Sequence, residues 1–246
     1  MWNDKRVSIV FPVYNEQEGL LKAIEDFFGL EWVDEIVVVD NNSSDRSAAI
    51  AKTTRAKLVM EPRQGYGFAL QRGLREAGGD LIILAEPDGT FMAKDLLKLL
   101  AYSDDFEMVL GTRTTRELIW AEANMGIFLR LGNWAVAKLL EFLFNGPSLS
   151  DCGCTMRLIR ADTVSRIQNH LTVGGSHFLP EMVILGLLGG MRIVEVPINY
   201  RGRVGTSKIT GSFKTAWRVG WRMIRLILSY RIRAWSGLAP QVLRHS

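Results

Sequence analysis

The sequence predicts an α/β protein in which a mostly parallel sheet is flanked by helices. Short apolar runs recur through the first 116 residues, at 7–14, 35–40, 58–60, 81–85 and 108–111. Stretches of helical length separate them, at 19–28, 46–53, 68–77 and 94–102. Strands that alternate with helices at this spacing favour parallel pairing through right-handed crossovers. A chain of 246 residues is long enough for one large α/β domain or two small ones.

Acidic residues follow three of the predicted strands. Glu16 lies just past the first strand, Asp40 ends the second, and Glu86 and Asp88 follow the fourth. Parallel strands place their carboxyl ends at one edge of a sheet, where open α/β sheets bind ligands. Each acid alone is equally well explained as a helix cap or as turn chemistry, as in the Pro-Asp-Gly sequence at 87–89. Together they favour a single cleft.

The pair Glu86 and Asp88 is typical of a metal site. Two hard oxygen ligands at a rigid strand end suit Mg²⁺ or Mn²⁺ carrying a diphosphate, and the other acids would contact the base and ribose of a nucleoside. The sequence contains no Gly-x-x-x-x-Gly-Lys-Ser/Thr phosphate loop. The segment 64–67, Gln-Gly-Tyr-Gly, is only a fragment of a dinucleotide-binding motif. Kinase and dehydrogenase functions are therefore disfavoured.

The second half of the chain is more apolar. Residues 119–144 are predicted to form two helices, or one helix broken near Gly132 and Asn133. The most apolar part, 125–144, has about the length of a bilayer span. It contains three charged residues, Arg130, Lys138 and Glu141, and each costs roughly 2.5–3.5 kcal/mol near the bilayer centre. We therefore expect no membrane span there. The residues before the first strand contain no apolar stretch, so we also expect no secretory signal.

A last long helix is predicted at 212–235. Its apolar residues follow three- and four-residue steps along one face: Phe213, Trp217, Trp221, Ile224 and Leu228. Basic residues follow the same steps on an adjoining face: Lys214, Arg218, Arg222 and Arg225. Tryptophans beside a basic stripe favour a helix that lies in a membrane interface. A helix packed on the domain with a solvated basic edge is the alternative.

The remaining candidate ligands are few. Cys152 and Cys154 are separated by one glycine, a strained spacing for a disulfide, so we expect free thiols in a reducing compartment. The three histidines form no ligand pattern, and packing or surface roles are expected for them.

Several motifs resemble family-2 glycosyltransferases of the GT-A (Rossmann-like) fold. They are Val-Phe-Pro-Val-Tyr-Asn-Glu at 10–16, Ile-Val-Val-Val-Asp-Asn-Asn-Ser-Ser-Asp at 36–45, Gly-Tyr-Gly at 65–67 with Ala69, and Glu-x-Asp at 86–88. The later motifs resemble the dolichyl- or polyprenyl-phosphate sugar synthases: Gly-Thr-Arg at 111–113, Ser-Asp-x-Gly at 150–153, Glu181, Val-Glu-Val-Pro at 194–197 and the basic segment 203–208.

The resemblance implies a role for particular residues. The expected nucleotide-sugar-binding residues are Pro12, Tyr14, Glu16, Asp40, Gly65, Glu86 and Asp88, with Mg²⁺ or Mn²⁺ on Glu86 and Asp88. The expected phosphate- and acceptor-binding residues are Arg113, Arg201, Arg203, Ser207 and Lys208. Asp88, Asp151 and Arg113 are the expected catalytic residues. Glu86 and Asn41 stand where the family usually has aspartates, and a shorter basic loop leaves open whether Arg201 or Arg203 is the matching arginine.

The function implied is inverting, metal-dependent transfer of a sugar from a UDP- or GDP-linked donor to a polyprenyl or dolichyl phosphate. We expect a peripheral protein at the cytoplasmic face of a membrane, which contacts the lipid through 119–144 and 212–235. A nucleic-acid partner is not expected, because a carboxylate cleft repels polyanions; an oligomer or a membrane-anchoring partner is left open. Residues 1–116 would form the donor-binding half, 117–211 the acceptor-binding half of the same domain, and 212–246 the interfacial helix.

Two alternatives remain at this stage. The acceptor could be a hydroxyl of a lipid or a saccharide, which would need a general base, and Asp151 is the candidate. The chain could also be a non-catalytic module that binds a membrane surface, which the basic C-terminal part would explain.

Overall fold

Seven strands form one sheet in the computed structural model, which describes residues 1–121, 123, 126–205, 213–240 and 242. The strands are β1 (Val7–Val13), β2 (Glu35–Asp40), β3 (Lys57–Met60), β4 (Leu81–Leu84), β5 (Met108–Thr112), β6 (Arg157–Arg160) and β7 (Ile193–Pro197). Their order is β3-β2-β1-β4-β6-β5-β7. β1 to β4 pair in parallel, β7 is parallel to β5, and β6 is antiparallel to both β4 and β5. The mostly parallel sheet is thus confirmed.

The helices lie on both faces of this sheet. They are α1 (Leu20–Phe28), α2 (Ser47–Lys52), α3 (Tyr66–Glu76), α4 (Leu96–Leu100), α5 (Ile127–Phe144), α6 (Ala161–Ile167), α7 (Phe178–Leu188) and α8 (Phe213–Trp235). Short 3-10 turns occur at Ala93–Asp95, Arg116–Leu118 and Gln168–His170. Among the described residues, no helix combines the length and the apolar character needed to cross a bilayer.

The predicted break near Gly132 is wrong, because α5 runs through it as one helix. Val136, Ala137 and Leu140 are buried in the core along its inner face. Glycine costs only about 1 kcal/mol inside a helix, and burial of several apolar side chains at about 25 cal/mol per Å² outweighs that cost.

The core has two layers, one on each face of the sheet. On one face Val10 and Ile82 pack in the layer that contains α3, α5, α7 and α8. On the other, Ile9 and Ile83 pack in the layer that contains α1 and α4. All seven residues of β1 are buried, as expected for a central parallel strand covered on both faces. This double cover fixes the strand ends that carry the acids.

β7 lies at an edge of the sheet, and the cysteines are free thiols as expected. β7 pairs only with β5 among the described strands, and its Pro197 fits an edge because proline cannot donate to a ladder. Cys152 and Cys154 are buried free thiols. Burial raises the pKa of each to about 12, so both are inert thiols.

Candidate active site

The carboxyl ends of β1, β2 and β4 bring the predicted acids to one edge of the sheet. The register pairs Val13 with Asp40 and Val10 with Leu84, so the three strands end side by side. A cleft of about 740 Å³ opens at this edge. Its lining includes the predicted donor residues Pro12, Tyr14, Glu16, Glu86 and Asp88.

Asp40 lies at the base of this edge, with only 1% of its surface exposed. Its Oδ2 accepts a hydrogen bond from the backbone N–H of Ser43 at 3.2 Å. Its Oδ1 is buried and has no hydrogen-bond donor among the described residues. A buried acceptor without a donor is costly, and an N–H or O–H of a nucleoside would satisfy it. Asp40 does not line the cleft, and its predicted contact with the nucleoside stays a prediction.

Asn41, which lines the cleft in place of the family's second acid, holds the adjoining loop together. Its side-chain nitrogen donates to the carbonyl oxygens of Glu61 and Arg63, at 2.9 and 2.8 Å. Its Oδ1 accepts from the backbone N–H of Gly65 at 2.7 Å. An ionised aspartate has no donor, so the amide explains this departure.

Gly65 serves the packing of α3. Its φ is +153°, and a Cβ there would lie 2.3 Å from the carbonyl oxygen of Gly174. Gly65 does not line the cleft, and its predicted contact with the donor stays a prediction.

Glu86 is held by a network that sequence reasoning missed. Its Oε1 accepts from the hydroxyls of Tyr66 and Thr155, at 2.9 and 3.0 Å, and these two hydroxyls lie 2.5 Å apart. Burial, followed by the charge of Asp88, raises the pKa of Glu86 to about 7. Tyr66 falls within the glycine fragment flagged in the sequence, whereas nothing local marks Thr155, which meets Glu86 only because β6 runs antiparallel beside β4.

Asp88 contacts groups on two loops. Its Oδ1 accepts from the backbone N–H and the hydroxyl of Thr90, at 3.0 and 2.5 Å. Its Oδ2 accepts from Nη1 of Arg203 at 2.5 Å. The other terminal nitrogen of Arg203 pairs with Glu16. One guanidinium therefore bridges two acids that lie 72 positions apart in the chain.

This arrangement fits a divalent cation. The guanidinium shows that positive charge is accommodated between Asp88 and Glu16, and carboxylate oxygens are the ligands that Mg²⁺ and Mn²⁺ prefer. Within the described residues, no group of three or more His, Cys, Asp or Glu side chains is placed to hold a metal. Mg²⁺ is often bound by one or two carboxylates together with substrate phosphates, so a nucleotide would supply the remaining ligands.

The first part of the predicted basic segment is fastened to the acidic loop. The backbone N–H of Arg201 donates to the carbonyl of Thr90 at 2.9 Å, and that of Val204 to the carbonyl of Asp88 at 2.8 Å. Arg201 and Arg203 both line the cleft, and the guanidinium of Arg201 lies 4.7 Å from the ring centre of Trp120. Ser207 and Lys208 lie outside the described residues.

Arg113 and Asp151 form a buried pair. Nε and Nη2 of Arg113 donate to the two carboxylate oxygens of Asp151, at 2.8 and 3.0 Å. Burial opposes the charge of Arg113, but the Asp151 carboxylate outweighs it, so the pKa of the guanidinium is raised. The guanidinium of Arg113 also lies 5.2 Å from the ring centre of Tyr200. Arg113 lines the cleft and Asp151 does not.

Glu195 holds the backbone of the loop that carries Asp151. The backbone N–H of Asp151 donates to Glu195 at 2.8 Å, as does that of Ser150. The catalytic role predicted for Asp151 stays a prediction. Since it is fully buried and its oxygens already accept from Arg113 and Gly153, its geometry favours orienting Arg113 over abstracting a proton.

The cleft continues as an apolar groove between α5 and α8. Side chains from both helices line it, together with one from α7: Ala135, Val136, Leu179, Trp217, Trp221, Met223 and Ile224. α8 is attached to the domain by buried Met223, Ile227 and Tyr230, and the Tyr230 hydroxyl donates to Glu181 at 2.9 Å. The polar cleft and the apolar groove are thus one continuous cavity.

The sheet order, the acids at its carboxyl edge and the flanking helices define an α/β domain of the GT-A type. Residues 8–167 match the profile described as glycosyl transferase family 2, and the chain belongs to that family. The motifs named in the sequence had indicated the same family.

Several proteins are similar to this chain over most of its length. The chain is 28% identical to the dolichyl-phosphate hexose transferase of Haloferax volcanii, over 92% of this chain and 96% of that protein. It is 29% identical to the low-salt glycan biosynthesis hexosyltransferase Agl6 of the same organism, over 90% of this chain but 53% of that protein. An uncharacterised glycosyltransferase of Mycobacterium bovis is 30% identical over 85% of this chain and 91% of that one.

Solved structures confirm the fold. Glucosyl-3-phosphoglycerate synthase of Mycobacterium tuberculosis, in complex with Mn²⁺, UDP and glucosyl-3-phosphoglycerate, superposes with a TM-score of 0.69 at 14% identity, covering 97% of this chain and 82% of that chain. A further mycobacterial protein superposes with a TM-score of 0.71 at 18% identity, over 93% of this chain and 75% of that one. At these identities the likeness concerns the fold alone.

Proposed function

We propose that this family-2 glycosyltransferase moves a hexose from a nucleotide-sugar to a polyprenyl phosphate, with inversion at the anomeric carbon. One observation carries the proposal: a single cleft contains the carboxylates Glu16, Glu86 and Asp88 and the cations Arg113, Arg201 and Arg203, and it runs on into an apolar groove. An anionic donor, a phosphate and an apolar chain each find matching chemistry there. The similarity to a dolichyl-phosphate hexose transferase supports the same acceptor class.

The donor would lie against the strand ends. Asn41, Pro12 and Tyr14 line the region where the nucleoside would bind, and Asp40 lies buried beside Asn41. Asp88, with Glu86 directly or through water, would hold Mg²⁺ or Mn²⁺, which neutralises charge on a leaving nucleoside diphosphate. When the donor binds, Arg203 would leave Asp88 and pair with phosphate oxygens, since a guanidinium forms charge-assisted hydrogen bonds with phosphate as well as with carboxylate.

The acceptor phosphate would lie against Arg113 and Arg201. A phosphate monoester is largely dianionic at neutral pH, because its second pKa is about 6. Its oxygen can therefore attack the anomeric carbon without a general base, forming the new C–O bond as the bond to the nucleoside diphosphate breaks. Arg113, oriented by Asp151, would align the attacking oxygen, and alignment of reacting groups is a large part of catalysis.

The lipid chain would follow the groove between α5 and α8 to the surface. Outside the groove lining these helices expose large apolar residues: Leu131, Trp134 and Phe142 on α5, and Leu228, Ile232 and Trp235 on α8. Trp217 and Trp221, which line the groove, are also about half exposed. Exposed tryptophans on a basic helix suit a membrane interface. We therefore propose peripheral attachment at the cytoplasmic membrane face. The acceptor lipid would enter the groove from the membrane there.

The test is a transfer assay with the full-length chain. Radiolabelled UDP- and GDP-hexoses are each supplied with Mn²⁺ or Mg²⁺ and one of four acceptors: undecaprenyl phosphate, diacylglycerol, a free disaccharide or phosphoglyceric acid. We expect label in an acid-labile lipid phosphodiester with undecaprenyl phosphate only. Label on diacylglycerol or on the disaccharide would establish the hydroxyl-transfer alternative. No transfer with any pair, together with vesicle binding, would establish the non-catalytic membrane module.

A further inference from the structure

Two glycines on the walls of the groove have no packing explanation. Gly132 lies inside α5 and Gly220 inside α8, and both line the cleft. A Cβ built at either position meets no described atom within 4 Å. Neither has a left-handed φ. After proline, glycine is the least favourable residue inside a helix, so both positions carry a cost that the fold does not require.

Other glycines of the chain show the contrast. A Cβ at Gly67 would lie 2.2 Å from the carbonyl oxygen of Val173, and one at Gly73 would lie 2.2 Å from a methyl of Val10. Glycine is needed there because another part of the chain comes too close. At Gly132 and Gly220 the missing side chain leaves open space within the groove.

The position of Gly132 relates this space to the proposed phosphate site. Asn133, the neighbour of Gly132, and Arg113 both approach Gly153. A Cβ built at Gly153 would lie 3.0 Å from Oδ1 of Asn133 and 3.6 Å from Nη2 of Arg113. The groove-lining face of α5 therefore begins beside Arg113. On α8, Gly220 lies on the same face as Trp217 and Ile224, which both line the groove.

We infer that Gly132 and Gly220 set the width of the groove and so admit the methyl-branched prenyl chain of the acceptor. The inference rests on the proposed function. It states that the prenyl chain passes Gly132 and Gly220. A side chain larger than a methyl at either position would occupy volume that the prenyl chain needs. The donor end of the cleft, at the strand ends, would be unaffected.

The experiment compares leucine and alanine at each position, in the full-length chain with undecaprenyl phosphate. Alanine is the matched control, because it removes the helical cost of glycine while adding only a methyl. We expect Gly132→Leu and Gly220→Leu each to raise the KM for undecaprenyl phosphate at least about tenfold, or about 1.4 kcal/mol. Gly132→Ala and Gly220→Ala should stay within about threefold of wild type.

Two further readouts separate a blocked groove from a damaged fold. Nucleotide-sugar affinity, measured by calorimetry, should be unchanged in all four variants, and their thermal midpoints should equal or exceed the wild-type value. Equal KM values for the leucine and alanine variants would overturn the inference, as would a leucine variant that loses donor binding, since open space would then not exist there. Absence of transfer by the wild-type chain would instead refute the proposed function.

Discussion

The two ends of the cleft are built in different ways. The donor end consists of acids placed at the ends of β1, β2 and β4, strands whose residues are almost wholly buried. The arginines lie on loops after β5 and β7, Arg113 and Arg201 at the acceptor end and Arg203 between the two ends. Side-chain contacts with Asp151, Trp120, Asp88 and Glu16 position them. The first set depends on the backbone of the sheet, whereas the second depends on loop hydrogen bonds together with ion pairs and a ring contact.

This difference predicts different responses to mutation. A change at the donor end removes a chemical group from a frame that stays in place. A change at the acceptor end also releases the groups that depended on the one removed.

Asp88→Asn should lower turnover by about 10³-fold, because loss of electrostatic stabilisation of a leaving group costs on the order of 10²–10³ or more. The thermal midpoint should fall less than in Asp151→Asn, because the strands stay in place and Arg203, which loses its pairing with Asp88, keeps its pairing with Glu16. Sugar transfer and a melting curve on the same preparation check both. Asp26→Asn, on the exposed side of α1, is the control. Turnover within about tenfold of wild type would refute the metal assignment.

Asp151→Asn should reduce both stability and turnover. Breaking a buried ion pair costs about 3 kcal/mol or more, and Arg113 would lose its orientation, lowering turnover by about 10²-fold. Urea unfolding and transfer assays check the two effects. In a double-mutant cycle, Arg113→Gln with Asp151→Asn should cost less than the sum of the single changes.

The cycle also tests the idea of Asp151 as a base. A base acting independently of Arg113 would give additive losses, together with a changed pH profile of kcat. Non-additive losses with an unchanged profile would establish the positioning role.

Arg203→Ala should have opposite effects on metal binding and on turnover. Without the guanidinium, Asp88 and Glu16 lose the cation that bridges them, so Mn²⁺ alone should bind about tenfold more tightly. Turnover should fall by about tenfold or more, because phosphate loses a ligand. Calorimetric titration with Mn²⁺ in the absence of donor checks the first effect. Weaker Mn²⁺ binding would contradict competition between Arg203 and the metal.

Ile232→Asp with Trp235→Asp should release the protein from anionic vesicles, since these side chains are 61% and 70% exposed and lie outside the groove lining. Burial of such side chains in the interface contributes about 1.5–3 kcal/mol each, so partitioning should fall at least about tenfold. Leu97→Asp with Tyr102→Asp, exposed by 42% and 43% on the α4 side, is the matched control. Equal sedimentation of both pairs would contradict the proposed interface.

The raised pKa of Glu86 predicts that the affinity for the donor with metal changes by a few fold with pH. Because its pKa is raised to about 7, protons compete with the metal as the pH falls through that value, and metal-dependent donor binding should weaken. Glu86→Gln should abolish this dependence. Calorimetry between about pH 6 and pH 8 checks it, and an unchanged slope in the variant would exclude Glu86 as the titrating group.

The same shift has a consequence for stability without ligand. A carboxyl whose folded pKa is raised stabilises the fold below its unfolded pKa, and that contribution is lost as the pH rises through the folded value. As the pH rises from about 4.5 to about 7, deprotonation of Glu86 therefore makes the free energy of unfolding decline. In Glu86→Gln that part of the decline should be absent, as denaturant unfolding at a series of pH values would show.

The same contrast explains what could be predicted from the sequence. The acids and the parallel strands were predicted because a buried run that ends in a carboxylate is a local pattern. The continuity of α5 through Gly132 was not, because it depends on core packing. Tyr66 and Thr155 were missed as partners of Glu86, and so was the bridge from Arg203 to Asp88 and Glu16. Those contacts join residues far apart in sequence, and only the antiparallel β6 and the loop after β7 bring them together.

The central claim is that Asp88 exchanges the Arg203 guanidinium for a metal-bound nucleotide. The most direct measurement is the anomalous diffraction signal of Mn²⁺ in crystals grown with a UDP- or GDP-sugar. We predict a Mn²⁺ peak within coordination distance of Asp88, with Arg203 moved onto phosphate oxygens. A peak away from Asp88, or a bound nucleotide with Arg203 still paired to Asp88, would contradict the account.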